Sequence, residues 1–367
     1  MTVISSPAAP YRDAPPGPDP IARIVWKELG PLVWLVSVSL GLAVVVRFGL
    51  GIPIPLMQMS LPDRMQRAFR YALLLGPLLI VAAIARYRWA LRRAGYQTVP
   101  ELSAWRRALT AVRTNALTAR VVLAIATGLL LAILLSVAGV WKASIPLLSP
   151  WHWDPTFMAA DRWLHGGVLP QDWTRQWFGP TATRFLDRKY YLWFRLLALF
   201  MVWQSFRAPS TDRLRALLSL GLAYTLLGNL GAILLSSGGP VYYERLVGTP
   251  SPYAAQSAYL EGVHGLHAKR IQRSIWTWLQ THQYIPFGSI SAMPSMHVAV
   301  ATVMALTSWR QNRWLGAAGW LYVLLIFLGS VQLNWHYAVD GYVAVLGTWL
   351  IWRASGVLAR RWRERLP

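Results

Sequence analysis

The chain contains no cysteine, which excludes disulfides, thiol nucleophiles and cysteine-ligated metal sites. Charge is scarce as well. Only 14% of its 367 residues are Asp, Glu, Lys or Arg, and 55% are hydrophobic, whereas about a quarter of a soluble domain is charged. Too few polar residues remain to cover a globule of this size in water. Acids are rarest: 14 Asp and Glu stand against 36 Lys and Arg, for a formal charge of +22. That balance invites a nucleic-acid partner, but the basic residues cluster in short segments beside apolar runs and no nucleic-acid-binding motif accompanies them. Nucleic acid is therefore excluded, and positive charge beside a span is read as the signal that orients membrane helices. The first 20 residues are rich in Pro and Ala, and no apolar core begins before residue 31. No cleavable signal peptide is expected, and the tail is expected to be disordered.

What the chain has in abundance is long apolar runs. A helix needs about 20 apolar residues to cross a bilayer, and eight such stretches are read near 31–50, 70–87, 120–141, 190–206, 214–236, 294–309, 314–332 and 336–355. They are too long and too little alternating for barrel strands. The fold class expected is all-α, a polytopic membrane helix bundle. Many of the 21 Trp, including Trp26, Trp141, Trp309 and Trp352, stand at the ends of these runs, where interfacial anchors belong. The expected organisation is a cytoplasmic tail (1–22), two spans with a basic segment (23–119), a six-span catalytic domain (120–358) and a basic cytoplasmic tail (359–367). Arginines crowd 86–120, 207–215, 310–313 and the C-terminal tail, and all fall on one side if the spans alternate. That side is expected to be cytoplasmic, in a plasma or inner membrane, with both termini inside. The segments 142–189 and 237–293 would then be long outer loops, the first of them amphipathic and suited to lying along the interface.

Two polar stretches interrupt this apolar chain. One is S-I-S-A-M-P-S-M-H-V, which contains His297; the other is G-S-V-Q-L-N-W-H-Y-A-V-D, which contains His336 and Asp340. One span inward, the Arg310–Arg313 turn and one span back separate the two histidines, so both return to the same membrane face. Pro294 suits a first helical position. Free N–H groups of Ser295 and Met296 would then make a helix start suited to phosphate. His336 and Asp340 are four apart and would share a helix face; a carboxylate on one ring nitrogen leaves the other free to attack. Each piece also has a structural reading, as an interfacial histidine or a structural His–Asp pair, but ionisable groups within spans are costly and usually functional.

Pro294-Ser295-Met296-His297 resembles the P-S-x-H motif of the type-2 phosphatidic acid phosphatase superfamily, which includes the vanadium haloperoxidases, and His336-Tyr337-Ala338-Val339-Asp340 resembles its H-x-x-x-D motif. The H-Y-x-x-D form is most similar to the branch containing inositol phosphorylceramide synthase and the sphingomyelin synthases. The resemblance covers about residues 120–355 and implies a six-helix phosphatase-like core. It implies that His336 is the nucleophile forming a phosphohistidine, that Asp340 orients it and that His297 is the acid and base. Ser295 would help hold the phosphate, with no metal and no cofactor.

The chain also departs from the pattern. Gly329-Ser330 stands where the family has Ser-Arg, and the upstream Lys/Arg-Pro motif is replaced by S-S-G-G-P-V-Y-Y-E-R at 236–245. Arg245 is the local candidate for phosphate charge, with Tyr242 or Tyr243 as donors, though Arg245 could equally face solvent. Gln332 and Asn334 could donate to phosphate or satisfy backbone. His264, His267, Lys269, Arg270 and Arg273 read as a solvated face, and Asp161 with His165 as a capping or interfacial pair. The expected partners are a phospholipid or lipid-phosphate donor and, if the enzyme is a transferase, a lipid alcohol acceptor. Hydrolysis is the alternative reaction. A transporter or scaffold with a degenerate site is the alternative of another class.

Overall fold

The computed structural model describes residues 21–53, 116–281 and 290–365. The expected N-terminal tail, the span at 70–87 and most of the basic segment 86–120 lie outside them. Within them the chain is all-helical. Helix α1 spans Ile21–Val44, and α2 spans Ala116–Leu148. Three helices follow: α3 (Asp154–Leu164), α4 (Pro170–Trp177) and α5 (Pro180–Phe206). Helix α6 begins as Thr211–Leu222 and continues through a π-helical stretch, Ala223–Gly231, to Leu234. Then come α7 (Tyr243–Val247), α8 (Ala254–Gly262) and α9 (His267–Gln280). The chain closes with α10 (Met296–Trp309), α11 (Arg313–Gln332) and α12 (Ala338–Glu364).

Among the described residues five helices, not eight, are long and apolar enough to cross a membrane: α1, α2, α6, α11 and α12. They make the chain an integral membrane protein. The expected span 190–206 is the apolar half of α5, whose other half carries Arg184, Asp187, Arg188 and Lys189. The expected span 294–309 is α10, whose 14 residues reach about 21 Å at 1.5 Å each, short of a hydrocarbon core of about 30 Å. Helix α10 is instead a central element. Val298 to Val303 are all buried, as a helix apolar on every side must be. Small residues let α11 lie against it: a Cβ on Gly319 would stand 2.8 Å from the Ala305 Cα.

Local chemistry fixes the helix starts. The Ser210 side chain accepts from Arg213 N–H to open α6, and Asn312 accepts from Trp314 and Leu315 N–H to open α11, each filling donors a helix leaves orphaned. Pro170 and Pro180 occupy first turns, where a missing N–H costs nothing. At the end of the bundle holding the Arg310–Arg313 turn, fully buried Arg213 ties four helices together. It donates to Glu28 (3.3 Å, α1), to Thr127 (2.6 Å, α2) and to the Gln204 carbonyl (2.9 Å, α5), while Arg363 of α12 also pairs with Glu28.

The opposite end is closed differently. The segments read as long outer loops fold into α3, α4, α7, α8 and α9 together with the polar start of α5. They form a cap over the point where α10 begins and α11 gives way to α12.

Candidate functional site

Helix α11 stops at Gln332, and the chain turns through Asn334, whose φ of +62° is a left-handed conformation that non-glycine residues seldom adopt. It then presents His336 just ahead of α12. The expected shared helix face is therefore replaced by a reach-back. Asp340, in the first turn of α12, turns toward the chain preceding it and accepts from the His336 ring Nδ1 at 3.0 Å and from Tyr337 N–H at 3.1 Å. With Nδ1 engaged, Nε2 is the nitrogen left for substrate. Burial first, and Lys142 second, pull the His336 pKa down to about 3, which keeps the ring uncharged.

His297 is the second residue of α10. Its ring stacks on Tyr190 and packs against Trp193, each with centroids 4.4 Å apart, and meets the Phe194 edge at 5.7 Å. The Trp193 indole donates to the His297 carbonyl at 3.0 Å. Ser295 is the N-cap of α10, so Pro294 precedes the helix rather than opening it. The Ser295 N–H is not free for an anion, because it donates to the Asp340 carbonyl at 3.3 Å. That bond joins the two polar stretches directly.

His297 and His336 face one cavity of about 210 Å³, walled by Leu135, Ala138, Tyr190, Trp193, Phe194, Leu197 and Tyr224. Lys142 of α2 is the one Lys or Arg among its lining residues. Around it, Ser295 Oγ, His297 Nε2 and Asp340 Oδ1 are buried without a hydrogen-bond partner. Buried polar atoms are rarely left so, and orphans clustered at one place suit a polar ligand.

The phosphate ligands expected at 243–245 stand elsewhere. Arg245 is exposed and lies over the Trp276 ring at 4.7 Å. Tyr243 is buried in a separate apolar cluster with Phe157, Tyr253 and Tyr337. Neither lines the cavity, because the short α7 turns both away; Tyr242 does line it, with its hydroxyl donating to the Gln272 carbonyl at 2.9 Å. Gln332 and Asn334 satisfy local structure, donating to Thr183 at 2.8 Å and Ser257 at 3.1 Å. Lys269 and Arg273 pair with Glu261 on the outer surface.

Lys142 is the cavity-lining cation that the sequence reading did not single out. Its signal was present: one cation inside the otherwise uncharged run 121–148, and an ionisable group within a span is a functional candidate by default. Among the described residues no group of three or more His, Cys, Asp or Glu could hold a metal ion.

A family model described as the PAP2 superfamily matches residues 155–354, a stretch that includes both histidines and Asp340 and begins after Lys142. No curated protein and no solved structure matches the chain.

Proposed function

The chain belongs to the PAP2 superfamily, and on that footing we propose that it is a membrane enzyme transferring phosphoryl groups from lipid phosphates through a phosphohistidine at His336. The observation that carries the reading is one cavity faced by His297, His336 and Lys142, with His336 held by Asp340. His336 Nε2 attacks the phosphorus of a lipid-linked ester. The bond to the leaving oxygen breaks as His297 gives that oxygen a proton, one it takes up when the anionic donor is bound, because burial first and His336 second hold its pKa well below the usual imidazole range in the empty protein. Neutral His297 then takes the proton of the acceptor hydroxyl, whose oxygen attacks the same phosphorus. The phosphorus–nitrogen bond breaks, and His336 is regenerated with His297 protonated again. Lys142 offsets the charge on the phosphoryl oxygens, and Asp340 stabilises the His336 imidazolium formed in the attack.

The acceptor proposed is a lipid alcohol, with hydrolysis the competing outcome. Apolar and aromatic walls limit bulk water, and an alcohol held beside the phospho-enzyme gains the advantage of proximity. One lysine matches the single negative charge of a phosphodiester donor. The Arg-rich end marked by Arg310, Arg313, Arg360 and Arg361 supports a cytoplasmic placement for that end, which puts the cavity on the outer face.

The test gives purified protein a labelled diester phospholipid with and without diacylglycerol or ceramide, and identifies products by mass. A transferase makes a new phospholipid in proportion to acceptor. Only released headgroup phosphate or inorganic phosphate, with monoesters turning over faster than diesters, would make it a hydrolase. No product from any donor, or full activity in His336→Ala, would sink the phosphohistidine reading.

A further inference from the structure

Helix α3 carries two fully buried carboxylates, Asp154 and Asp161. They are seven residues apart, two helical turns, and therefore on one face. Neither lines the cavity, yet both are bonded to the piece of chain that presents His336. Asp161 accepts from the N–H groups of Ala338 and Val339, at 2.8 and 2.9 Å. These are two of the three residues between His336 and Asp340, and their N–H groups are orphans of the first turn of α12. Asp154 accepts from the Tyr337 hydroxyl at 2.7 Å and from Gly238 and Gly239 N–H, at 2.8 Å each to the nearer oxygen. The loop so held is itself pressed on the nucleophile segment: a Cβ on Gly239, at φ +88°, would stand 2.5 Å from the Trp335 carbonyl oxygen.

Other parts of the cap complete the grip on the same few residues. Side-chain amides of Gln256, Gln272 and Gln171 donate to the carbonyls of Gln332, Leu333 and His336 at 2.6, 2.9 and 3.2 Å, and Val241 N–H donates to the Asn334 carbonyl at 3.1 Å. The nucleophile segment thus has three of its carbonyls held by glutamines, and the two N–H groups that follow it, of Ala338 and Val339, held from α3. The glutamine contacts are neutral. The α3 contacts have a carboxylate as acceptor, which makes them the stronger kind of bond, and they act on the residues that set the His336–Asp340 geometry. Burial raises the pKa of both acids above the usual carboxylate range, while the N–H donors aimed at them favour the ionised, accepting form.

We propose that Asp161, supported by Asp154, is a positioning residue for phosphoryl transfer: a carboxylate on α3 that holds the start of α12 so that Asp340 can orient His336. The proposal rests on the phosphohistidine reading above. Its energetic logic is that of preorganisation. A site must be held within about 0.5 Å of its productive geometry, and a displacement near 1 Å costs on the order of 100-fold in rate.

The decisive variant is Asp161→Asn. The amide keeps one accepting oxygen but turns an NH₂ toward the second donor, so one of two bonds is lost and the helix start shifts. The expected result with purified protein and a phospholipid donor is a fall in kcat of about 10- to 100-fold with KM within about twofold, and a matching fall in the single-turnover rate of phospho-enzyme formation. Tyr337→Phe, which removes only the hydroxyl bonded to Asp154, should lower kcat several-fold and is the mild variant to use should Asp161→Asn not yield folded protein. Glu28→Gln serves as the stability control. It weakens the buried ion cluster at the far end of the bundle and should lower the melting temperature without changing kcat.

Wild-type kcat in folded Asp161→Asn or Tyr337→Phe protein would overturn the proposal. So would a kcat loss that Glu28→Gln reproduces at equal loss of stability. His336→Ala separates the two levels. If it stays active, the phosphohistidine reading fails; if it is dead while Asp161→Asn is unimpaired, only the positioning role fails.

Discussion

Replacing Lys142 with Met should lower activity and raise stability in the same protein. Lys142 is half-buried at the wall of the cavity, with His297 and His336 on the same cavity, and it has no carboxylate partner among the ion pairs of the described residues. A hydrogen bond or contact from a charged group to a charged ligand is worth about 1.5–3 kcal/mol. At about 1.36 kcal/mol per tenfold, losing it should reduce kcat/KM by roughly 10- to 150-fold. The sign for stability is opposite. An ammonium at the wall of a largely apolar cavity, in no ion pair, costs free energy in the empty protein, and Met is a similar-sized apolar replacement. The melting temperature in detergent, without substrate, should therefore rise. Two measurements check this: steady-state kinetics on a labelled phospholipid, and thermal unfolding followed by Trp fluorescence. Wild-type kcat/KM in Lys142→Met would refute the assignment of Lys142 as the cation that meets the phosphate. A fall in both activity and melting temperature would instead make it a structural residue.

Further outcomes follow from the same geometry. His336→Ala should abolish turnover and the acid-labile phospho-enzyme, whereas Asp340→Asn should keep the fold and lower kcat, since an amide stabilises the imidazolium less well; product assays and trapping of labelled protein check both. Because burial and Lys142 hold the His336 pKa near 3, its ring stays neutral above that pH. No acid limb of kcat/KM should therefore appear near pH 6.5, and one found there that survives in His297→Gln would contradict this. Turnover should survive EDTA and be blocked by vanadate, which adopts the trigonal-bipyramidal geometry of a transferring phosphorus; loss on chelation restored by a divalent ion would mean the site is misread. With no native cysteine to interfere, Asn312→Cys should resist an impermeant thiol reagent applied to intact cells while Gly167→Cys reacts, and the reverse pattern would invert the proposed topology.

The helical class and the membrane setting were legible because they depend on composition and run length, which tertiary context cannot hide. Where the count of spans went astray, the cause is specific. Residues 190–206 are apolar, but they continue a helix that starts with Arg184, Asp187, Arg188 and Lys189, and a window of hydrophobicity does not see where a helix begins. Residues 294–309 are apolar because α10 is wrapped by other helices, not by lipid; protein interior and bilayer ask for the same side chains.

The site divides along a similar line. The meeting of His297, His336 and Asp340 was legible because it follows from short spacings and one hairpin, all local quantities, while the roles proposed for them come from the family resemblance. The ligand for phosphate charge was sought near 236–245, within sequence reach of the histidines, and Arg245 was the result; the cation on the cavity is Lys142, nearly two hundred positions before His336. The same holds for Asp154 and Asp161. Their partners at the start of α12 and just before it are 177 to 183 positions away, so no spacing rule could pair them. Yet both were marked by a feature visible from the start. In a chain with 14 acids, two carboxylates placed two turns apart on one face of a helix must each be neutralised or bonded once buried. Helix-start N–H groups are ready-made donors to such carboxylates. Scarcity of charge, which first suggested a membrane protein, is therefore also what makes each remaining buried charge a marker of where the chain is held in place.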